Sequence, residues 1–542
     1  MKIKRTLFAG LALSFALALV FPFTACDGNN SSIESGEAEL NIIDDNNRNW
    51  YEIFVRSFCD SGEDGIGDLK GVTMKLDYLK EMGYNGIWLM PVAESTTYHG
   101  YDVADYYTVE KDYGTNDDFK ELVAEAHSRG INVIVDMVIN HTSSSNEWFR
   151  KATTALKNSE TTGENAKYIE YYNFSPTSQN GYNQVSNTNW YYESRFDKIM
   201  PDLNLDNPVV REEIKDIFTF WLKDMDCDGF RLDAVTSYYT GNVQKNVEFL
   251  KFVNDTAKSI KEDAYIVGEA WEGTDKQIRD YYESGCDSFF LFTMSAGAGS
   301  SSSVKQLFSP LLSTPGQKLE NLLLNLQKTY DKGSLAPFLG NHDTARAANM
   351  LASKNLIKMG AGVTSIMNGN VFVYYGDEIG MICSDASNDP SKRIPMRWSE
   401  NDMAEGQVFN YKPQGWSGVI NKSLYPNGSV ESQKDDPTSI YNYYKAAMQL
   451  RNRHPEIARG TIEKAESVSP YVAAIKKTWQ GKSVVILVNL SESESFDVKI
   501  SSYGDMKVAD TLDAIGASSV SGDNLLLQPY SIVVLRNKSD VK

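Results

Sequence analysis

Cysteine is scarce in this chain. Five residues, at positions 26, 59, 227, 286 and 383 of 542, are too scattered for a metal-binding spacing and outline no disulfide framework. Basic charge is in deficit too. The 53 Lys and Arg against 72 Asp and Glu leave a formal net charge of -19, so nucleic acid, which needs a basic footprint, is excluded as the expected partner. The excess acid favours solubility and fits a neutral substrate at least as well as a charged one. No Gly-x-Gly-x-x-Gly follows the first apolar strand, which weighs against an open nucleotide-binding sheet. Histidine is rare, with residues only at 99, 127, 141, 342 and 454.

The N-terminus carries an address. Lys2, Lys4 and Arg5 precede an apolar run from Leu7 to Val20, followed by small residues before Cys26. That order predicts a secretory signal over residues 1–25, and the run is short for a membrane span of roughly 20 residues. The ending "FTAC" resembles a bacterial lipoprotein cleavage box, with Phe23 where Leu is usual. The resemblance implies a lipid on Cys26 as the mature N-terminus, and membrane attachment through that lipid alone. Export to the periplasmic or cell-surface side follows, or free secretion without the lipid. Residues 26–48 are polar and patternless and read as a tether.

From residue 49 short apolar strands alternate with amphipathic stretches. The strands are "WYEIFVRSF", "GIWLMPV", "INVIVDMVIN", "GFRLDAV", "AYIVGEA", "DSFFLF", "LAPFLGN" and "VFVYYGDE"; the helical stretches include "NDDFKELVAEAHSRG" and "NPVVREEIKDIFTFWLKDM". Eight such strands predict an α/β fold closed as a (β/α)8 TIM barrel, with a doubly wound sheet as the alternative. After "INVIVDMVINH" about 65 residues run without a clear helix, a functional excursion or small subdomain. After residue 458 short strands and turns predict an antiparallel β-sandwich. The expected organisation is barrel over 49–141, inserted subdomain over 142–206, barrel again over 207–458, and a C-terminal β domain over 459–542.

In a closed barrel the C-terminal strand ends face the active site. Those ends carry Asp136, Asn140 and His141, then Arg231 and Asp233, then Glu269, then Asn341, His342 and Asp343, and His99 lies in the loop after strand two. Arg231 and Asp233 are two apart, so they share a strand face that Phe230 and Leu232 do not. A lone pair of this kind is a register-fixing ion pair. Three carboxylates at separate strand ends suit glycosidic bond cleavage, which takes one ionised nucleophile and one protonated acid. Arg231 would hold Asp233 ionised, and Glu269, in "IVGEAW", would be kept protonated by its apolar setting.

The motifs "GIWLMP", "DMVINH", "GFRLDAV", "GEAW", "FLGNHD" and "YYGDEIG", in this order, resemble the α-amylase family of glycoside hydrolases over residues 49–536. The resemblance implies a retaining mechanism with Asp233 as nucleophile, Glu269 as general acid/base and Asp343 as transition-state stabiliser. It implies sugar binding by Arg231, His141, His342 and His99, with Tyr101 of "YHGYDVADYY" stacking on the ring. Thr236 and Ser237 stand where many α-amylases have Lys and His, and "MPDLN" (200–204) resembles the group between oligo-1,6-glucosidases and neopullulanases. Cleavage of α-1,4 bonds in starch and maltooligosaccharides by a monomer is the leading expectation. An α-1,6-glucosidase or a pullulan- or cyclodextrin-cleaving enzyme is the alternative, and a non-catalytic binding relative is disfavoured because all three acids are present. The turn "DSGEDGIGD" spaces Asp60, Asp64 and Asp68 around glycines; these, with the Ile66 carbonyl, suit Ca²⁺, against the plainer reading of an acidic turn before a helix.

Overall fold

Alternation of side chains decides what the eight apolar runs become. In the computed structural model, which describes residues 43, 45–271, 273–409, 411–413 and 417–540, they form eight strands. These are β1 (Asn49–Ile53), β2 (Gly86–Leu89), β3 (Asn132–Met137), β4 (Gly229–Leu232), β5 (Tyr265–Gly268), β6 (Ser288–Leu291), β7 (Ser334–Pro337) and β8 (Val371–Tyr374). The expected signal segment (1–25), Cys26 and most of the expected tether lie outside the described residues.

Neighbouring strands pair in parallel in the order β7-β6-β5-β4-β3-β2-β1-β8. A parallel bridge between Phe338 and Phe372 joins the two edges and closes the barrel. One parity of each strand turns inward: Trp50, Trp88, Ile134, Tyr265, Phe290 and Phe372 fill the barrel interior. The other parity, including Tyr51, Val133, Phe230 and Leu232, packs under the helices. Arg231 and Asp233 therefore follow the inward face. β4 must start with glycine, because a Cβ on Gly229 would lie 2.0 Å from the Tyr265 carbonyl oxygen and its φ is +145°.

The helix Asn116–Ser128 shows how the outer layer is specified. Thr115 and Asp118 form a capping box, and Phe119, Leu122, Val123 and Ala126 make the buried face at helical spacing.

The excursion after β3 corrects one expectation, because it opens with a helix, Glu147–Asn158, whose N-cap Asn146 accepts from Trp148 N. Its buried face is Phe149, Ala152, Ala155 and Leu156. Two alanines among four contacts give a weak hydrophobic signal in sequence. Three short antiparallel strands follow, with Phe149 packed against Tyr172, Phe174 and Tyr192. The clustered aromatics thus supply the small core of this segment.

At the C-terminal end a five-stranded antiparallel sheet and a three-stranded one enclose a core that includes Val485, Leu487, Val498, Leu525 and Val533. The larger sheet's opposite face, with Ala473, Ile475, Ile486 and Val534, joins the main core. Among the described residues no helix is long and apolar enough to cross a membrane.

Candidate active site

Arg231 is the centre of the polar cluster at the C-terminal end of the barrel. It is fully buried, and its fork serves three carboxylates: Nη1 lies 2.7 Å from Asp136 Oδ1 and 2.8 Å from Asp233 Oδ1, and Nη2 lies 2.6 Å from Glu269 Oε1. Register explains the meeting, since Asp136 on β3 and Val267 on β5 are both direct partners of Arg231. The partnership of Arg231 and Asp233 expected from sequence is present, but it is not exclusive. Just after Asp233 the backbone turns left-handed at Ala234, φ +50°, and this turn aims the Ala234 amide at Glu269 Oε2, 3.0 Å away. A non-glycine residue in that conformation is strained, and here the strain accompanies a hydrogen bond to the second carboxylate.

The two remaining acids are held in opposite states. Burial pushes the Glu269 carboxyl up to about 8, outweighing the pull of Arg231. Burial also acts against charge on Asp343, yet His342 and Arg393 hold its carboxyl well below the usual range. Their contacts are direct: His342 Nε2 lies 2.9 Å from Asp343 Oδ2, and Arg393 Nη2 lies 2.7 Å from Oδ1. One protonated and one ionised carboxyl in a single cleft give proton donation and charge stabilisation in the same place.

Tyr101 links the halves. Its hydroxyl donates to Asp136 Oδ2 at 3.0 Å and lies 2.6 Å from His342 Nε2, and its ring stacks on His342 with centroids 5.6 Å apart. His99 Nδ1 accepts from the Tyr101 amide at 3.1 Å, and burial lowers the His99 pKa to about 4. Buried His141 reaches the Tyr101 carbonyl through Nε2 at 3.0 Å, and desolvation lowers its pKa as well. Both rings are neutral at neutral pH, so they can exchange hydrogen bonds with hydroxyls. The cleft has a volume of about 490 Å³ and is lined by Tyr101, His99, His141, Asp233, Glu269 and Asp343 among others.

The sequence reading missed several members. Phe196 and Trp271, 49% and 38% exposed, stand at the cleft as uncovered apolar surfaces. Arg393 and Lys392 also line it, the latter donating to the Asp343 carbonyl at 2.8 Å. Glu52 lies beneath, on β1, with Oε1 2.5 Å from His342 Nδ1. Its signal was available: Glu52 shares parity with Trp50 in a wholly buried strand.

The candidate metal residues lie apart, in the turn after β1. There Asp60 accepts from the Gly62 and Gly65 amides at 3.0 and 2.7 Å, and Asp64 accepts from the Ile66 amide at 2.9 Å. Asp68 caps the following helix through the Gly71 amide at 2.7 Å. The donor chemistry is all oxygen, which fits Ca²⁺, but the carboxylates are turned to backbone amides. No group of three or more His, Cys, Asp or Glu is arranged to hold a metal ion among the described residues.

A family model described as "Alpha amylase, catalytic domain" matches residues 52–460. Alpha-amylase 3 of Dictyoglomus thermophilum is 34% identical over 495 residues, spanning 90% of this chain and 92% of its own length. An oligo-1,6-glucosidase of Parageobacillus thermoglucosidasius is 29% identical over 529 residues, spanning 82% and 89%. Among solved structures, Eubacterium rectale Amy13B superposes with a TM-score of 0.85 at 39% identity, covering 92% of this chain and 97% of that one.

Proposed function

The chain belongs to the alpha-amylase family and is a glycoside hydrolase, and from that premise we propose that it cleaves internal α-1,4 bonds of starch and maltooligosaccharides by a retaining double displacement. The observation that carries the reading is the shared guanidinium. Asp233 and Glu269 sit on the two terminal nitrogens of Arg231. A common fork keeps them close, as a retaining enzyme requires (about 5–5.5 Å, against about 6.5–9.5 Å for inversion).

In the first step an Asp233 oxygen attacks the anomeric carbon while Glu269 gives its proton to the departing glycosidic oxygen. A glycosyl ester on Asp233 results, and the freed chain leaves as an alcohol. In the second step Glu269, now a carboxylate, takes a proton from water; the hydroxide attacks the same carbon and releases Asp233. Asp343, ionised, faces the positive charge that develops on the sugar ring. Neutral His99 and His141 orient sugar hydroxyls, and the Tyr101 ring, its hydroxyl held by Asp136 and His342, stacks on the sugar.

The alternative is α-1,6 cleavage. Similarity to an oligo-1,6-glucosidase and the short, neutral Thr236 and Ser237 in the cleft favour it. A time course of products from soluble starch, with pullulan and isomaltose alongside, separates the two. Early mixed maltooligosaccharides of retained α configuration are expected; turnover of isomaltose or pullulan alone would overturn the α-1,4 reading.

The proposal extends to a Ca²⁺ ion in the Asp60–Asp68 turn, on the strength of its oxygen donors, and to a monomer exported and anchored through a lipid on Cys26, on the strength of the N-terminal sequence. Metabolic labelling with a radioactive fatty acid tests the anchor: label lost in Cys26→Ser is expected, and an unlabelled native chain would overturn it.

A further inference from the structure

Glu52 is almost wholly buried, at 1% exposure, in the middle of β1. It takes no part in the steps above. Its carboxylate Oε1 accepts from the ring Nδ1 of His342 at 2.5 Å and from the His342 amide at 3.3 Å. The other ring nitrogen, Nε2, faces the Tyr101 hydroxyl and Asp343 Oδ2, and both of those residues line the cleft.

Each ring nitrogen faces a carboxyl group. Nδ1 lies 2.5 Å from Glu52 Oε1 and Nε2 lies 2.9 Å from Asp343 Oδ2. Nε2 is also 2.6 Å from the Tyr101 hydroxyl, whose one hydrogen can serve either Nε2 or Asp136 Oδ2 at 3.0 Å. Both carboxylates are satisfied when the ring carries a hydrogen on each nitrogen, as an imidazolium.

We propose that Glu52 is a positioning residue whose carboxylate holds His342 as an imidazolium and, through that ring, fixes the carboxylate of Asp343 at the cleft. The inference rests on the glycoside hydrolase reading of Asp343. Acidic groups dominate the ring's surroundings, and Arg393, whose Nε donates to the His342 carbonyl at 3.2 Å, is the opposing cation. Glu52 faces the ring from β1, Tyr101 from the loop after β2, Asp136 from β3 and Glu269 from β5, with Asp343 on the ring's own segment. Arg231 on β4 faces Glu52, as does Tyr374 on β8, and Trp88 on β2 meets the imidazole edge-on at 5.6 Å. Burial opposes charge on His342, but Asp343 and Glu52 outweigh it and carry the ring up to about 9. Burial pushes the Glu52 carboxyl up, and His342 and Arg231 draw it back.

The test uses the full chain labelled with ¹³C histidine, in which only five residues report. In the native chain His342 stays charged at pH 7. In Glu52→Gln its midpoint falls by about two pH units. kcat drops about 10-fold or more, the alkaline limb of the rate profile moves down, and KM changes little. Glu52→Asp, which keeps the charge, restores a charged ring and part of kcat. A neutral His342 in the native chain at pH 7 overturns the proposal, and so does a folded Glu52→Gln with an unmoved His342 midpoint and pH profile. If Glu52→Gln does not fold, the native titration and the Asp variant decide. If the native chain turns over no α-glucan, the functional reading fails, while the titration still judges the hold of Glu52 on His342.

Discussion

Arg231 Nη2 lies 2.6 Å from Glu269 Oε1, so the guanidinium that pairs with Asp233, the proposed nucleophile, also steers Glu269, the proposed acid. Lysine has a point charge with no planar fork and cannot reach both carboxylates and Asp136 in one geometry. Arg231→Lys keeps the buried charge and is expected to fold, with kcat/KM reduced by about 10²–10³-fold. Asp233→Asn and Glu269→Gln are each expected to abolish turnover with an unchanged circular dichroism spectrum. Steady-state rates on a maltooligosaccharide check all three; an Arg231→Lys enzyme within tenfold of native would mean the fork does not matter.

Glu269 must hold a proton to act as acid, and burial raises its carboxyl to about 8. Activity is therefore expected to fall as pH rises through about 8, the alkaline limb of kcat/KM reporting this group in the free enzyme. The same shift predicts a stability effect. A carboxyl raised above its unfolded value of 4.5 favours the folded chain fully below that value and loses the advantage as pH climbs towards 8. Glu269→Gln removes the loss, so its melting temperature should gain on that of the native protein between pH 5 and pH 8. A constant difference across that range would contradict the buried-acid assignment.

Most of this arrangement is legible in the sequence because period-2 alternation is a local rule. Once "GFRLDAV" is read as a buried strand, Arg231 and Asp233 must share a face, and the barrel supplies the face. The same rule applied to "WYEI" would have placed Glu52 inward beside Trp50. What alternation cannot supply is partnership across strands. That Arg231 meets Asp136 and Glu269 depends on the β3–β4–β5 register, and that Arg393 reaches Asp343 depends on a chain reversal 50 residues long. The helix Glu147–Asn158 was hidden by its small buried side chains, and Phe196 by a setting in which aromatics usually form core.

Phe196 and Trp271 present exposed rings to the cleft, where the apolar faces of sugars can stack. Each ring removed to alanine should raise KM for maltoheptaose about 5- to 50-fold, with far less effect on an aryl glucoside that reaches only the centre. Equal effects on the two substrates would place the rings in the core of the site and not along a chain-binding path.

If Ca²⁺ occupies the Asp60–Asp68 turn, the ion has to draw carboxylates from the backbone amides they now bind. Chelation should then lower the melting temperature by several degrees, with calcium restoring it, and Asp64→Asn should abolish the response. Asp64 is the carboxylate with the least structural duty, bonding only the Ile66 amide among the contacts described. A melting curve indifferent to chelator would leave the turn as a self-bonded helix lead-in.

Lys477 lies fully buried on the face of its strand that packs against the barrel. Its three ammonium hydrogens have three acceptors: the Ile366 carbonyl at 2.7 Å, Asn368 Oδ1 at 2.6 Å and the Ile457 carbonyl at 2.6 Å. Lys477→Met keeps the length of the side chain but leaves three buried acceptors unpaired, each worth about 1–3 kcal/mol. Relief from burying a charge offsets part of this, so a net loss of about 2 kcal/mol at pH 7 is expected from urea unfolding. Burial, with Arg451 adding to it, holds the ammonium well below its ordinary value of 10.5. A methionine variant as stable as the native chain would mean that three hydrogen bonds do no more than repay the burial of the charge.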